Sequence, residues 1–160
     1  MAEAPVGLRL ATARDVTAIA FLEGAIFPER MRFARRQIEY LLSSTRGVTV
    51  LALVAGQCVA CCIGLANVLR NGEMRGRIYS LGVLKDWRGS GVGTLLLTDV
   101  ERRLFRMGAR VISLETLDRP GGARDFFGRR GYRRTAFLAD YYRPGSAVRM
   151  VKRLVKLPSK

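Results

Sequence analysis

The chain contains no histidine, and its 160 residues hold only 13 acidic side chains against 28 basic ones. The missing imidazole removes the commonest neutral-pH proton carrier and the commonest metal ligand together. Any catalytic base must then be Asp, Glu, Tyr or a cysteine thiolate. Cysteine is scarce as well: Cys58, Cys61 and Cys62 share one apolar stretch, with no second cluster elsewhere. A tetrahedral zinc site cannot be completed from Cys and His, so no metal is expected. Cys58-x-x-Cys61 has the spacing of a redox pair. Yet no helix start follows it, and Cys58-Val59-Ala60-Cys61-Cys62-Ile63 reads as a strand, so buried inert thiols are expected. No apolar run reaches the roughly 18 residues of a membrane-spanning helix. Met1-Ala2-Glu3-Ala4-Pro5 has neither the basic nor the apolar region of a secretion signal. The expectation is a cytoplasmic protein with no membrane partner.

What is present is a globular balance, 49% hydrophobic and 26% charged, enough for residues 1–160 to form one domain with a basic, frayed tail over 154–160. The formal charge of +15 is unevenly placed: residues 1–80 carry 10 basic and 6 acidic side chains, residues 81–160 carry 18 and 7. Such a field attracts phosphates, whether on a cofactor, on RNA or the ribosome, or an acidic surface. Because the basic residues are scattered through apparent helices and strands, a solvated basic face is the plainer reading.

Leu8-Arg9-Leu10 alternates as a short strand. Thr12-Ala13-Arg14-Asp15 has the form of a capping box and opens a helix whose apolar side is Val16, Ile19, Ala20, Leu22 and Ile26. Phe27-Pro28 ends it, and a basic helix is expected from about Arg30 to Ser44, packing through Met31, Ile38, Leu41 and Leu42. Val48–Val54 and Cys58–Val68 form a hairpin about Ala55-Gly56-Gln57, and Arg77–Leu84 adds a third strand to an antiparallel meander. The pattern then becomes strand, glycine loop, helix, strand: Arg88–Gly93, a helix to Met107 closed by Gly108, then Val111–Glu115. A short helix over Pro120–Arg130 and strands Tyr132–Leu138 and Ala147–Leu154 complete the order.

The loop Arg88-Gly89-Ser90-Gly91-Val92-Gly93 places three glycines at alternate positions between a strand and a helix. Backbone N–H groups are thereby opened to a ligand at the positive end of the helix, a site suited to pyrophosphate, with Arg88 and Lys85 adding cations. A dinucleotide fold needs Gly-x-Gly-x-x-Gly, and here the third glycine comes one residue early. Glu115 does lie where a ribose-binding acid would. However, one parallel strand–helix–strand unit after a meander is not a dinucleotide domain. No Gly-Lys-Ser/Thr follows for a Walker loop.

Arg88–Gly93 matches the pattern Arg/Gln-x-x-Gly-x-Gly/Ala, and on it the chain resembles the GNAT superfamily of N-acetyltransferases over roughly residues 8–154. Phe27-Pro28, Leu53-Val54-Ala55, Ile78–Val83, Leu114-Glu115, Gly131–Arg134, Tyr141-Tyr142 and Arg149-Met150 look like the RimI type, the ribosomal-protein-alanine N-acetyltransferases. The resemblance implies an α/β (α+β) fold, a mixed, mostly antiparallel twisted sheet of about six to seven strands flanked by about four helices. It implies acetyl-CoA as cosubstrate, its pyrophosphate held at Arg88, Gly89, Ser90, Gly91, Val92, Gly93 and Thr94. The pantetheine would then pair with the backbone of Leu81, Gly82 and Val83 as an added strand. It also implies Glu115 as the catalytic glutamate and Tyr141 and Tyr142 as residues shaping the amine pocket.

Acetyl transfer requires an uncharged amine. An α-amino group titrates near 7.7, while a lysine near 10.4 is neutral in only roughly one molecule in 2,500 at pH 7, so a base matters more for the latter. The sequence departs from the RimI pattern twice. Phe127 stands where the family has a tyrosine that protonates the leaving thiolate, and Pro120 where it has an asparagine at the cofactor. Arg124 could meet phosphate instead, and Tyr142, then Tyr141, could replace the missing acid. The expected acceptor is a protein N-terminal amine, with a polyamine, an amino sugar, or a non-catalytic CoA-responsive RNA- or ribosome-binding role as alternatives. The chain is expected to be a monomer or homodimer.

Overall fold

The computed structural model describes residues 4–156. Of the basic tail expected at 154–160, residues 157–160 lie outside that range. Leu154 is not frayed: it is buried, and its N–H donates to the Arg110 carbonyl at 2.8 Å.

The first strand, β1 (Val6–Leu10), leads into the Thr12 capping box, where the Asp15 carboxylate accepts the Thr12 N–H at 2.7 Å. The box closes one 3-10 turn, Ala13–Asp15, from which α1 (Val16–Ile26) continues. Arg9 grips the same carboxylate through two bonds of 2.8 and 2.9 Å and holds Asp15 down at about 2. The next helix differs from expectation. Only a 3-10 turn forms at Glu29–Met31, and α2 spans Arg35–Ser43. The reason is Arg32, whose guanidinium donates to the carbonyls of Phe27 (2.7 Å) and Gly24 (3.0 Å) at the end of α1. Arg32 backbone is extended to make that reach, so Met31 lies outside the helix and Ile38 and Leu41 do the packing.

Strands β2 (Gly47–Val54), β3 (Gln57–Val68) and β4 (Met74–Val83) form the antiparallel meander. Ala55 (φ 49°) and Gly56 (φ 79°) make the two-residue hairpin turn, whose left-handed conformations suit the strand twist. The helix α3 (Val92–Arg106) returns the chain to β5 (Val111–Leu117), parallel to β4; α4 (Ala123–Arg129) then leads to the hairpin of β6 (Arg133–Leu138) and β7 (Ala147–Arg153). The seven strands lie in the order β1-β2-β3-β4-β5-β7-β6.

Two cores flank the sheet. Leu96, Leu97, Val100 and Leu104 of α3 pack on Val50, Cys62, Ile78 and Ile112, while Ile19, Leu22, Ile38 and Leu41 pack on Leu51, Cys61 and Ile63. Adjacent strand residues point to opposite faces, so Cys61 and Cys62 enter different cores and form no disulfide. No helix among the described residues is long and apolar enough to cross a membrane.

Two irregularities shape the site. Opposite Ile63 and Gly64, β4 carries one extra residue, Tyr79, in a bulge between Ser80 and Ile78. Strands β4 and β5 pair only at Gly76–Ile112 and Arg77–Ser113, then diverge. Beyond Arg77, the β5-facing edge of β4 is unpaired.

Candidate active site

At the open end of that divergence, a 3-10 turn at Lys85–Trp87 delivers the chain to the glycine loop. Gly89 (φ 74°) and Gly91 (φ 91°) occupy the left-handed region, which residues with a Cβ enter at a cost. A Cβ built on either meets no protein atom within 4 Å, so the space before the loop is open. Gly91 is the N-cap of α3 and no side chain caps that end. The N–H groups of the first turn therefore face that space, the arrangement that holds a pyrophosphate. The Val92 side chain is buried in the core, which leaves only its backbone toward that space. Ser90 Oγ donates to the Trp87 carbonyl, bracing the loop. Arg88 reaches back to the Val83 carbonyl at 3.2 Å, and Leu81–Val83, paired to β3 on one side, has no strand partner on its β5-facing edge as it runs from the loop down into the slot.

Deeper in, Glu115 sits within β5, with its side chain 8% exposed. It is not the strand-end surface acid its position in the sequence could equally have suggested. Arg77 of β4 contacts Oε2 at 3.1 Å, and Arg149 of β7 contacts Oε1 at 3.2 Å. The carboxylate is thereby fixed where the strands part. Tyr142 joins it, its hydroxyl donating to the Glu115 carbonyl oxygen at 3.4 Å. Burial, with Tyr141 and Glu115 beside it, pushes the Tyr142 phenol up to about 12, so it stays protonated at neutral pH. Tyr141 stacks edge-on against Tyr142 at 4.9 Å and is exposed. Both tyrosines lie in the β6–β7 loop and not in a strand. Arg30 ties that loop to the segment before α2 by donating to the Pro144 carbonyl at 2.8 Å.

One sheet divergence thus holds an anion cradle, a free strand edge, a fixed carboxylate and a protonated phenol. The acetyltransferase (GNAT) family model matches residues 13–132. This chain belongs to the GNAT family.

Among relatives, an uncharacterised N-acetyltransferase of Methanocaldococcus jannaschii is 40% identical over 80 residues, which is 49% of this chain and 51% of that protein. The chain spans about half the length of that curated relative. Among solved structures, the ribosomal-protein-S18-alanine N-acetyltransferase of Escherichia coli superposes with a TM-score of 0.81 at 14% identity, covering 96% of this chain and 97% of that one. Arabidopsis thaliana Naa50, in complex with the bisubstrate analogue CoA-Ac-MVNAL, gives 0.82 at 24% identity, covering 93% and 99%. At these identities the two structures speak for the GNAT fold alone.

Within this GNAT domain, two sequence-predicted residues belong to α4. Arg124 pairs with Asp118 (2.8 Å) and Asp125 (3.6 Å), and lines a separate groove with Arg129 and Arg134. Phe127 is buried, edge-on to Phe126 and Tyr132 at 5.3 and 5.4 Å. The structure brings other residues forward. Arg130 donates from Nε to Thr94 Oγ1 at 2.9 Å, placing a guanidinium at the first turn of α3. It stacks 3.6 Å over Phe126, and burial lowers its pKa. The Phe126 ring lies 3.3 Å from where a Cβ of Gly93 would stand. Glu23 of α1 is buried, accepting Ser80 Oγ at 2.6 Å and the Phe33 N–H at 3.2 Å; burial raises its pKa. Its only sequence signal was a carboxylate four residues after Ile19, on the apolar side of α1.

Proposed function

We propose that this protein transfers an acetyl group from acetyl-CoA to a protein N-terminal α-amine. The observation that carries the reading is the parting of β4 from β5, with the anion cradle at one end and Glu115 beside it. Gly89, Gly91, Gly93 and Thr94 would hold the pyrophosphate through the loop and first helical turn, with Arg88 and Arg130 supplying positive charge. The free edge of Leu81–Val83 would pair with the pantetheine. Acetyl-CoA brings a thioester whose carbonyl carbon accepts the amine.

Glu115 accepts the amine proton, directly or through one water. The nitrogen bonds to the carbonyl carbon, the carbon–sulfur bond breaks, and Tyr142 donates its proton to the departing thiolate. Phe127 cannot make that donation. CoA thiol should ionise near a free cysteine's value, about 8.5, so the leaving group makes a modest demand on the acid.

A peptide acceptor would match other proteins of this fold: the E. coli one is a ribosomal-protein-S18-alanine N-acetyltransferase, and the Arabidopsis one is bound to the bisubstrate analogue CoA-Ac-MVNAL. A polyamine would have to approach a chain of formal charge +15. The test is thiol release from acetyl-CoA across N-terminal peptides, polyamines and amino sugars. Turnover confined to peptides is expected. Turnover confined to small amines, or none at all, refutes the reading.

A further inference from the structure

The sheet face that carries Glu115 extends well past it. Opposed residues on neighbouring strands share a face, and alternate residues along a strand return to it. Glu115 stands opposite Arg149; in the next row Arg77, Ser113, Val151 and Arg133 stand side by side; in the row beyond, Val111 opposes Arg153. Arg75, two residues before Arg77, is on the same face. Helices α1 and α2 lie on β2, β3 and β4, and among the described residues no helix covers this half of the face. Arg75, Arg133, Arg149 and Arg153 are exposed and Arg77 is half-buried. Glu115, the one carboxylate in these rows, engages Arg77 and Arg149. Among the described residues Arg75, Arg133 and Arg153 have no carboxylate partner.

We infer that this bare arginine face receives an acidic stretch of the acceptor polypeptide, just downstream of the amine being acetylated. The inference rests on the N-terminal-acceptor reading above. An extended chain advances about 3.3 Å per residue, so a peptide leaving Glu115 along the strands crosses the rows within about four to six residues. Guanidinium groups match carboxylates in a two-pronged geometry that lysines lack. The residues between the arginines are Ser113, Val111 and Val151. None of these is aromatic, and Tyr79, the ring beside Arg77, is covered by that guanidinium at 4.7 Å and packed edge-on against Phe33, which favours acidic peptide over stacked bases.

The test uses acetyl-CoA and three peptides alike at the first two residues and acidic, neutral or basic over the next four. The acidic peptide should show a KM about tenfold below the neutral one, and the gap should close with added salt. Arg133→Glu combined with Arg153→Glu should reverse the order in favour of the basic peptide. Equal KM values for three peptides that all turn over would overturn the docking face and leave N-terminal acetylation standing. Turnover of small amines with none of the peptides would overturn both. RNA binding that the double variant abolishes, with no peptide preference in the native chain, would assign the face to nucleic acid and overturn the inference.

Discussion

Replacing Gly91 with aspartate separates the cradle's role in binding from its role in folding. At φ 91° the position costs any L-residue about 1–2 kcal/mol, less for aspartate than for most. Because a Cβ there meets no protein atom within 4 Å, no steric clash adds to that figure. At about 2–4 °C per kcal/mol for a chain of this size, the free variant should melt roughly 2–8 °C below the native protein. Its carboxylate, however, would occupy the space in front of the α3 N-terminus and repel a pyrophosphate. A ligand at one hundred times its Kd stabilises by about 2.7 kcal/mol, so acetyl-CoA should raise the native melting temperature by roughly 5–11 °C. In Gly91→Asp that rise should vanish. Thermal melts of both proteins, with acetyl-CoA and with a nicotinamide dinucleotide, make the comparison. A dinucleotide that stabilises the native chain while acetyl-CoA does nothing would refute the cofactor assignment. A variant that keeps the full acetyl-CoA shift would move the pyrophosphate away from this loop.

Glu115→Gln should lower turnover by about 10²–10⁴ near neutral pH with little change in acetyl-CoA affinity, and the loss should shrink at high pH as the amine deprotonates unaided; a pH-independent loss with weakened cofactor binding would make the residue structural. Tyr142→Phe should slow the enzyme about 10- to 100-fold without stopping it, as suits a thiolate leaving group. With its phenol held up to about 12, Tyr142 should cause no fall in native activity below about pH 10. Asp15→Asn should cost about 1–2 kcal/mol of stability at neutral pH. The native carboxylate is lowered from 3.8 to about 2, so its contribution is present above the unfolded value and lost as pH falls toward 2, and urea melts should show native and variant converging there. Phe127→Tyr should lower stability by about 1–3 kcal/mol, because burial at this site takes the new hydroxyl out of water; a variant that is faster and no less stable would return Phe127 to the reacting centre.

Much of this architecture was legible because its signals are local. The apolar run Val48–Val54, the periodicity of α3 and the Thr12–Asp15 box each lie within a few residues, and all appear in the structure. The glycine loop was legible for the same reason, since its left-handed conformations are written in residue type. What escaped reading depends on distant partners. The α2 start was misplaced because Arg32 turns back to cap α1, and no helical periodicity encodes that bond. Arg130 reaches Thr94 across 36 positions, and Ser80 reaches Glu23 across 57. Glu115 was visible as an acid near a strand end, but the two arginines that hold it come from strands 38 and 34 residues away.

The two-sided burial of the β3 thiols makes this protein its own silent background in the assay that matters most for it. Reagents that count free CoA react with thiolates, and Cys61 and Cys62 lie at the sheet's centre with their ionisation suppressed by burial. Cys58 is half covered and its ionisation is also pushed up. In the folded enzyme, colour should therefore track product and not the catalyst. All three cysteines are free, so once the sheet opens each should become reactive. The same cuvette then records loss of structure as a stoichiometric step: three equivalents per chain, arriving whether or not an acceptor is present.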